Sequence, residues 1–279
     1  MKRAFKLSIA LMVCAVIFAA CKKEGQYNPG KKITQIVDTY TTSANGASLS
    51  HSQKQVWTWG GSVLSTIDQY DSNGNNILTM VFQYDESNRI SEIATTSQET
   101  FKYTYSGKYL DKMEYYNHET LARTYTFERK GKNIIKVTAT SPAKENVKMT
   151  ANPFVYFIPG SAANLLVETS DAKGAATYEL TWDGKNVSQV VANINGATQT
   201  IKWKYDSKVN PFMCLLNPAI YSYSTMLSKN NVVEEEVTID GKTTTTTYQY
   251  EYDGKYPVKK SYTETYLGVN RTVESAITY

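Results

Sequence analysis

Apolar and polar positions alternate along most of this chain in short stretches, and the alternation is regularly interrupted by turn residues. Trp57-Thr58-Trp59, Phe82-Gln83-Tyr84, Tyr103-Thr104-Tyr105, Tyr125-Thr126-Phe127, Leu180-Thr181-Trp182, Trp203-Lys204-Tyr205 and Tyr250-Glu251-Tyr252 each place two large residues at i and i+2. That spacing puts both on one face of a strand. Gly60-Gly61, Asp85, Ser106-Gly107, Gly131, Asp183-Gly184, Asp206 and Asp253-Gly254 follow. Asp-Gly and Asn-Gly steps supply the positive φ that tight hairpin turns need. Aliphatic residues about three apart come next, as in Val63 and Ile67, Ile90 and Ile93, or Val187 and Val190, and they open the returning strand. Tyr70-Asp71-Ser72-Asn73-Gly74-Asn75 with Ile77 is a further copy.

The unit recurs at about the length of two nine-residue strands and their turns, which predicts an antiparallel meander of about a dozen strands. Open sheets of that size tend to curl or close. The expected architecture is therefore all-β: a sheet curved into a partial or closed barrel over residues 33–279. Two segments break the pattern. Residues 141–166 hold Pro142, Pro153 and Pro159, and residues 210–231 hold Pro211 and Pro218 with an apolar run expected to cap the core. Asn-Pro-Phe occurs in both, at Asn152 and Asn210, which suggests two related halves meeting near residue 150.

The first twenty residues follow another logic. Lys2, Arg3 and Lys6 precede an apolar run from Leu7 to Phe18, then Ala19, Ala20 and Cys21. This is the form of a signal peptide, and the run is too short for a membrane span. Phe18-Ala19-Ala20-Cys21 resembles the bacterial lipobox, whose cysteine is acylated and becomes the first residue. The expectation is an exported protein attached to a membrane through Cys21. Residues 21–32, with Gly25, Pro29 and Gly30, then read as a flexible lipidated tether.

Composition narrows the possibilities further. Without residues 1–20 the formal charge falls from +4 to +1, which gives no electrostatic case for nucleic acid. Cys14 leaves with the signal and Cys21 takes the lipid, so Cys214 stands alone and reads as a buried thiol. His51 and His118 have no metal-ligand spacing around them. Asp71 to Asn75 resembles the start of a calcium loop, but Phe82 stands where the bidentate glutamate is required, so it reads as a turn. Glu234-Glu235-Glu236 reads as a charged sheet edge. No cofactor is expected.

Trp203-Lys204-Tyr205-Asp206, then Asn210-Pro211-Phe212 and Ser228-Lys229-Asn230-Asn231-Val232, resembles a signature of a Bacteroidetes lipoprotein family. That family is a domain of unknown function with a porin-like fold. The resemblance implies a lipid-anchored, barrel-like sheet in a Gram-negative envelope, an outer-membrane lipoprotein facing either the surface or the periplasm. It implies no activity.

The functional expectation is a non-enzymatic, monomeric binding module for a glycan or an envelope partner. The candidate platform is Trp57, Trp59, Trp203 and Tyr205, weighed against the simpler reading that these rings are core. A structural scaffold without a small ligand is the alternative, and a hydrolase stands third. Polar positions such as Lys102, Lys202, Lys204, Gln249 and Glu251 also argue against a lipid-embedded pore, which needs an unbroken apolar outer band.

Overall fold

A computed structural model describes residues 23–44, 47–142, 176–194, 196–215, 226–266 and 269–279. The signal segment 1–20, Cys21 and nearly all of 141–166 lie outside the described residues.

Seventeen strands form one antiparallel sheet rather than the dozen expected. The first half comprises β1 (Gln35–Ala44), β2 (Ala47–Gly60), β3 (Val63–Tyr70), β4 (Asn76–Tyr84), β5 (Ile90–Thr95), β6 (Glu99–Ser106), β7 (Tyr109–Asn117), β8 (Thr120–Lys130) and β9 (Asn133–Thr140). The second comprises β10 (Ala176–Asp183), β11 (Asn186–Ile194), β12 (Ala197–Tyr205), β13 (Val232–Ile239), β14 (Lys242–Thr247), β15 (Gln249–Asp253), β16 (Tyr256–Tyr266) and β17 (Val269–Thr278). β1 and β17 carry no aromatic-turn unit, so the repeat alone undercounts the strands.

Neighbours in sequence pair in space, and β1 pairs with both β2 and β17, so the meander closes on itself. β9 pairs directly with β10, while the point near residue 150 where two related halves were expected to meet lies outside the described residues. One seam stays unsealed. β14 bonds to β13 and β15 bonds to β16, and Tyr248 is the break between those two segments. The result is a nearly closed barrel.

Alternation decides what faces in. On β4, Leu78, Met80 and Phe82 are buried while Ile77 and Val81 are exposed. The inward residues form two large apolar clusters. One spans β1 to β8 and the other β9 to β13, with Tyr125, Phe127 and Leu227 touching both. The outward face is charged. Lys202 and Lys204 pair across strands with Glu236 and Glu234, and Lys136 pairs with Glu128. Those charges suit water, not acyl chains. Glu234-Glu235-Glu236 is thus no edge. β13 is paired on both sides, and its middle carboxylate, Glu235, turns inward and is buried.

A meander sends alternate turns to opposite ends. Every repeat unit except that at Tyr70 turns at the end where the chain enters β1, here called the proximal rim. In six units the ladder shifts register just before the second aromatic, at Trp59, Tyr84, Tyr105, Trp182, Tyr205 and Tyr252, whereas in the Tyr125-Phe127 unit it shifts after it, between Glu128 and Arg129. Such bulges add twist at barrel rims. The strands splay there, and the aromatic polar atoms bridge the gap. Tyr84 donates to the Leu64 carbonyl (2.7 Å), Tyr105 to Ile90 (2.6 Å), Trp182 to Ile134 (2.6 Å) and Tyr205 to Val187 (2.5 Å). Burial pushes the hydroxyls of Tyr84, Tyr105 and Tyr205 upward in pKa, which keeps them protonated donors.

The proximal rim is also where the tether reading fails. Residues 23–34 pack into the barrel end instead of hanging free. Tyr27 and Ile33 are buried, Tyr27 stacks on Trp59 with ring centres 5.8 Å apart, and Glu24 pairs with Arg129 at 2.6 Å. Two buried side chains in a dozen polar residues are too sparse to show periodicity. The described parts of the 210–231 segment cap the core, as expected: Leu215 and Met226 join the first apolar cluster and Phe212 packs against it. Cys214 is half-buried rather than buried, in a turn where its backbone takes φ +71°.

Candidate functional site

The residues of the expected signature act as fasteners for this cap. Asp206 accepts from the backbone N–H of Lys208 (2.9 Å) and of Asn231 (3.1 Å). Asn210 donates to the Ser228 carbonyl (2.8 Å), and Asn230 donates to that of Lys208 (2.7 Å). Ser228 donates to the Tyr205 hydroxyl (3.0 Å) and accepts the Val187 N–H (2.9 Å). Their chemistry is therefore largely consumed in structure.

The four candidate platform rings are not brought together. Trp57 and Trp59 belong with the first apolar cluster, Trp203 and Tyr205 with the second. Trp57 and Trp203 are buried. Trp59 is covered by Tyr27 and by Lys32, whose ammonium lies 5.2 Å from the indole centre, and its N–H goes to the Ile33 carbonyl at 2.7 Å. The same aromatics that mark the strands are used up in packing the wall. His51 lies exposed on β2, stacked on Tyr40 at 4.9 Å, and His118 sits in the exposed turn after β7. Asp71 spends its oxygens on Asn73 and Asn75 of its own turn. Among the described residues no group of three metal-ligating side chains occurs.

What alternation could not reveal is a polar belt on the inner face across the closure. Ladder register sets Gln53 beside Asp38, Asp38 beside Ser275, and Ser275 beside Lys260. One step further from the proximal rim stand His51, Tyr40, Val273 and Tyr262, and beyond them Arg271 beside Glu264. Ser275 donates to Asp38. The Lys260 ammonium lies 4.4 Å from the Tyr248 ring centre and 5.1 Å from that of Tyr262, and the Arg271 guanidinium 4.8 Å from Tyr40. Glu264 accepts from Arg271 Nε at 2.9 Å. Across the seam, Glu235 accepts the Trp203 indole N–H at 2.8 Å and the Tyr248 hydroxyl at 3.3 Å.

The belt is electrostatically costly. Burial raises the Asp38 carboxyl despite Ser275 and Lys260 nearby. Burial likewise lowers the Lys260 ammonium to about 7, against the pull of Glu235, Asp38 and Glu264. On the far wall, burial raises Glu99, which accepts from Tyr115 (2.6 Å) and Ser97 (2.9 Å). Asp38 and Glu99 stand on β1 and β6, strands that do not pair, and each is held by its own hydroxyl donors.

Beside the belt, Gln69 on β3 pairs across the ladder with Gln55. Gln69 is 1 % exposed, and neither its amide oxygen nor its amide nitrogen has a hydrogen-bond partner among the described residues. The buried amide oxygens of Gln53 and Gln199 are in the same condition. Gln55, by contrast, accepts the Trp57 indole N–H at 3.2 Å.

A porin-like protein from Bacteroides uniformis superposes with a TM-score of 0.54 at 14% identity, over 91% of this chain and 100% of that one. The fold is porin-like. A porin-like protein from Bacteroides vulgatus matches more distantly, with a TM-score of 0.31 at 9% identity over 88% of this chain and 98% of that one, too weak to carry an argument. No protein-family model and no curated protein matches the chain. The porin-like barrel here differs from a lipid-embedded one in its charged outer wall and in the N-terminal segment and cap that close its proximal rim.

Proposed function

We propose that the protein is an exported outer-membrane lipoprotein, anchored through acylated Cys21, whose barrel is a non-enzymatic module binding a glycan or an envelope partner. Gln69 carries this reading. An amide buried without partners costs about 1–3 kcal/mol, and a barrel that only had to fold would gain by filling that position with an apolar side chain. A bound hydroxyl both donates and accepts, which is what an amide N–H₂ and C=O require. Asp38, Gln53, Ser275 and Lys260 supply further groups of the same kind on the adjoining inner face. The reading needs no cofactor and no second copy of the chain.

The entry of residues 23–34 at the proximal rim supports an arrangement in which an acyl anchor at Cys21 holds that rim toward the membrane and leaves the distal turns free. The scaffold reading is favoured by one observation: Trp57 and Trp203 are buried wall residues, not an open platform.

Two measurements test the proposal. Labelled palmitate should enter the wild-type chain and not Cys21→Ala. A thermal-shift screen of the lipid-free mature chain, Cys21→Ser, against oligosaccharides and peptidoglycan fragments should give one responsive class. Ligand at 100 times its Kd stabilises by about 2.7 kcal/mol, a shift of roughly 5–10 °C for a domain this size. No response across the panel would leave the scaffold reading.

A further inference from the structure

Among the described residues, the turns at the two ends of the barrel differ in charge. Lys108, Lys132, Lys185 and Lys255 each follow a glycine in a proximal turn, and Lys130 and Lys229 stand beside them. All six are exposed, and none forms an ion pair among the described residues. Backbone bonds fix them around one rim. The Glu24 N–H meets the Lys108 carbonyl (3.1 Å), Lys229 N–H meets Lys185 (3.2 Å), and Val209 N–H meets Lys255 (3.1 Å). Other cations of this rim are already neutralised: Arg129 by Glu24, Arg89 by Asp85 and Lys31 by Asp253. Acids without an ion pair beside the same turns are fewer, Glu86, Asp111, Asp183 and Asp206 among the described residues. Among the described residues the distal turns carry Asp71, Glu119 and Asp240 against Lys242.

This polarity is a property of the rim and not of the chain, whose net charge without residues 1–20 is near neutral. On the barrel wall, lysines are matched by glutamates on neighbouring strands, as with Lys202, Lys204 and Lys136. Among the described residues the proximal rim gathers the largest group of exposed lysines without an ion pair, with Lys54 on the wall and Lys242 at a distal turn the scattered exceptions. Lys23, the first described residue, lies there too, with its ammonium 3.2 Å from the Ser87 hydroxyl.

We infer that the proximal lysine rim is a docking surface for the anionic phospholipid headgroups of a bilayer. Exposed charges act over about 8 Å at physiological ionic strength, so a flat anionic surface is felt by a ring of lysines in one plane and hardly by those on the wall. Headgroup phosphates present such a plane, and each lysine near it adds to attraction. The inference rests on the Cys21 anchor for the direction of approach only, since the charge pattern belongs to the folded barrel.

The test uses the mature chain from Cys21 with Cys21→Ser, so that no lipid contributes. Every strand and the proximal cap lie after that position. Co-sedimentation is measured with phosphatidylcholine vesicles and with vesicles containing about one-third phosphatidylglycerol. Binding to the anionic vesicles should fall steeply with salt. The variant Lys108→Glu/Lys132→Glu/Lys185→Glu/Lys255→Glu should lose it by about 100-fold or more, with an unchanged circular-dichroism spectrum. The wall variant Lys102→Glu/Lys136→Glu/Lys202→Glu/Lys204→Glu should keep most of it. Equal loss in both variants, no preference for anionic vesicles, or retention by a soluble anionic polysaccharide without vesicle binding would each overturn the inference. Such failure leaves the palmitate result at Cys21 untouched.

Discussion

Tyr105 donates its hydroxyl to the Ile90 carbonyl at 2.6 Å, beyond the point where the β5–β6 ladder ends at Glu92 and Lys102. The bond stands in for the ladder bonds lost when the bulge before Tyr105 turns the strand. The same arrangement joins Tyr84 to Leu64, Trp182 to Ile134 and Tyr205 to Val187. The repeat is thus a device for closing a barrel rim: the first aromatic packs the wall, and the second stitches two splayed strands.

Tyr105→Phe should therefore keep the packing and strand the Ile90 carbonyl. We expect a loss of about 1–2 kcal/mol in urea unfolding. Trp182→Phe should lose at least as much, because it removes ring area as well. A Tyr105→Phe protein as stable as wild type would show that water satisfies the carbonyl equally well.

Gly25 packs directly beneath the Tyr105 ring with φ +77°. A methyl group there would collide with the ring, in a backbone conformation that alanine resists. Gly25→Ala should release residues 23–34 from the rim, seen as rapid trypsin cleavage after Lys31 or Lys32, and cost about 1–3 kcal/mol. Unchanged cleavage would mean that the segment can shift without leaving.

Much of this was legible in the chain. Aromatics at i and i+2 before Asp or Gly marked the strand ends correctly, because both the pleat and the turn demand local residue types. The closure was less legible. β1, with Asp38 between Ile36 and Tyr40, and β17, with Ser275 between Val273 and Ile277, look like ordinary alternating strands. Alternation assigns a face and says nothing of what stands opposite. The belt of Asp38, Ser275 and Lys260 exists only because the first and last strands pair, 237 residues apart between Asp38 and Ser275. Trp203 and Tyr205 read as wall before platform, and burial puts Trp203 in the wall with Tyr205 packed against the same cluster.

Trp203 and Glu235 should behave as one unit across the β12–β13 pair. Trp203→Phe removes a donor from a buried carboxylate, and a loss of about 2–4 kcal/mol is expected. In a Glu235→Gln background the same substitution should cost at least about 1 kcal/mol less. Losses that simply add would show that the indole N–H contributes nothing to holding the carboxylate.

Lys260 gives the barrel a pH signature. Its ammonium is lowered to about 7 in the fold, below its ordinary value of 10.5. Between those limits the unfolded chain holds more protons, so stability rises with pH across that window. The slope is at most about 1.4 kcal/mol per pH unit. Lys260→Met should abolish this slope between pH 7 and 9.5, below the range where tyrosines of the unfolded chain titrate, and should be the more stable protein at pH 7. Parallel curves for the two proteins would place the ammonium in water.

The most direct test of a binding barrel is the urea-unfolding free energy of Gln69→Leu, measured with and without the oligosaccharide panel. If the amide is held for a ligand, the variant is more stable than wild type by about 1–3 kcal/mol when nothing is bound, and it gains nothing from the glycan that stabilises wild type. A variant that is less stable without ligand, or that still responds fully to the glycan, contradicts the account.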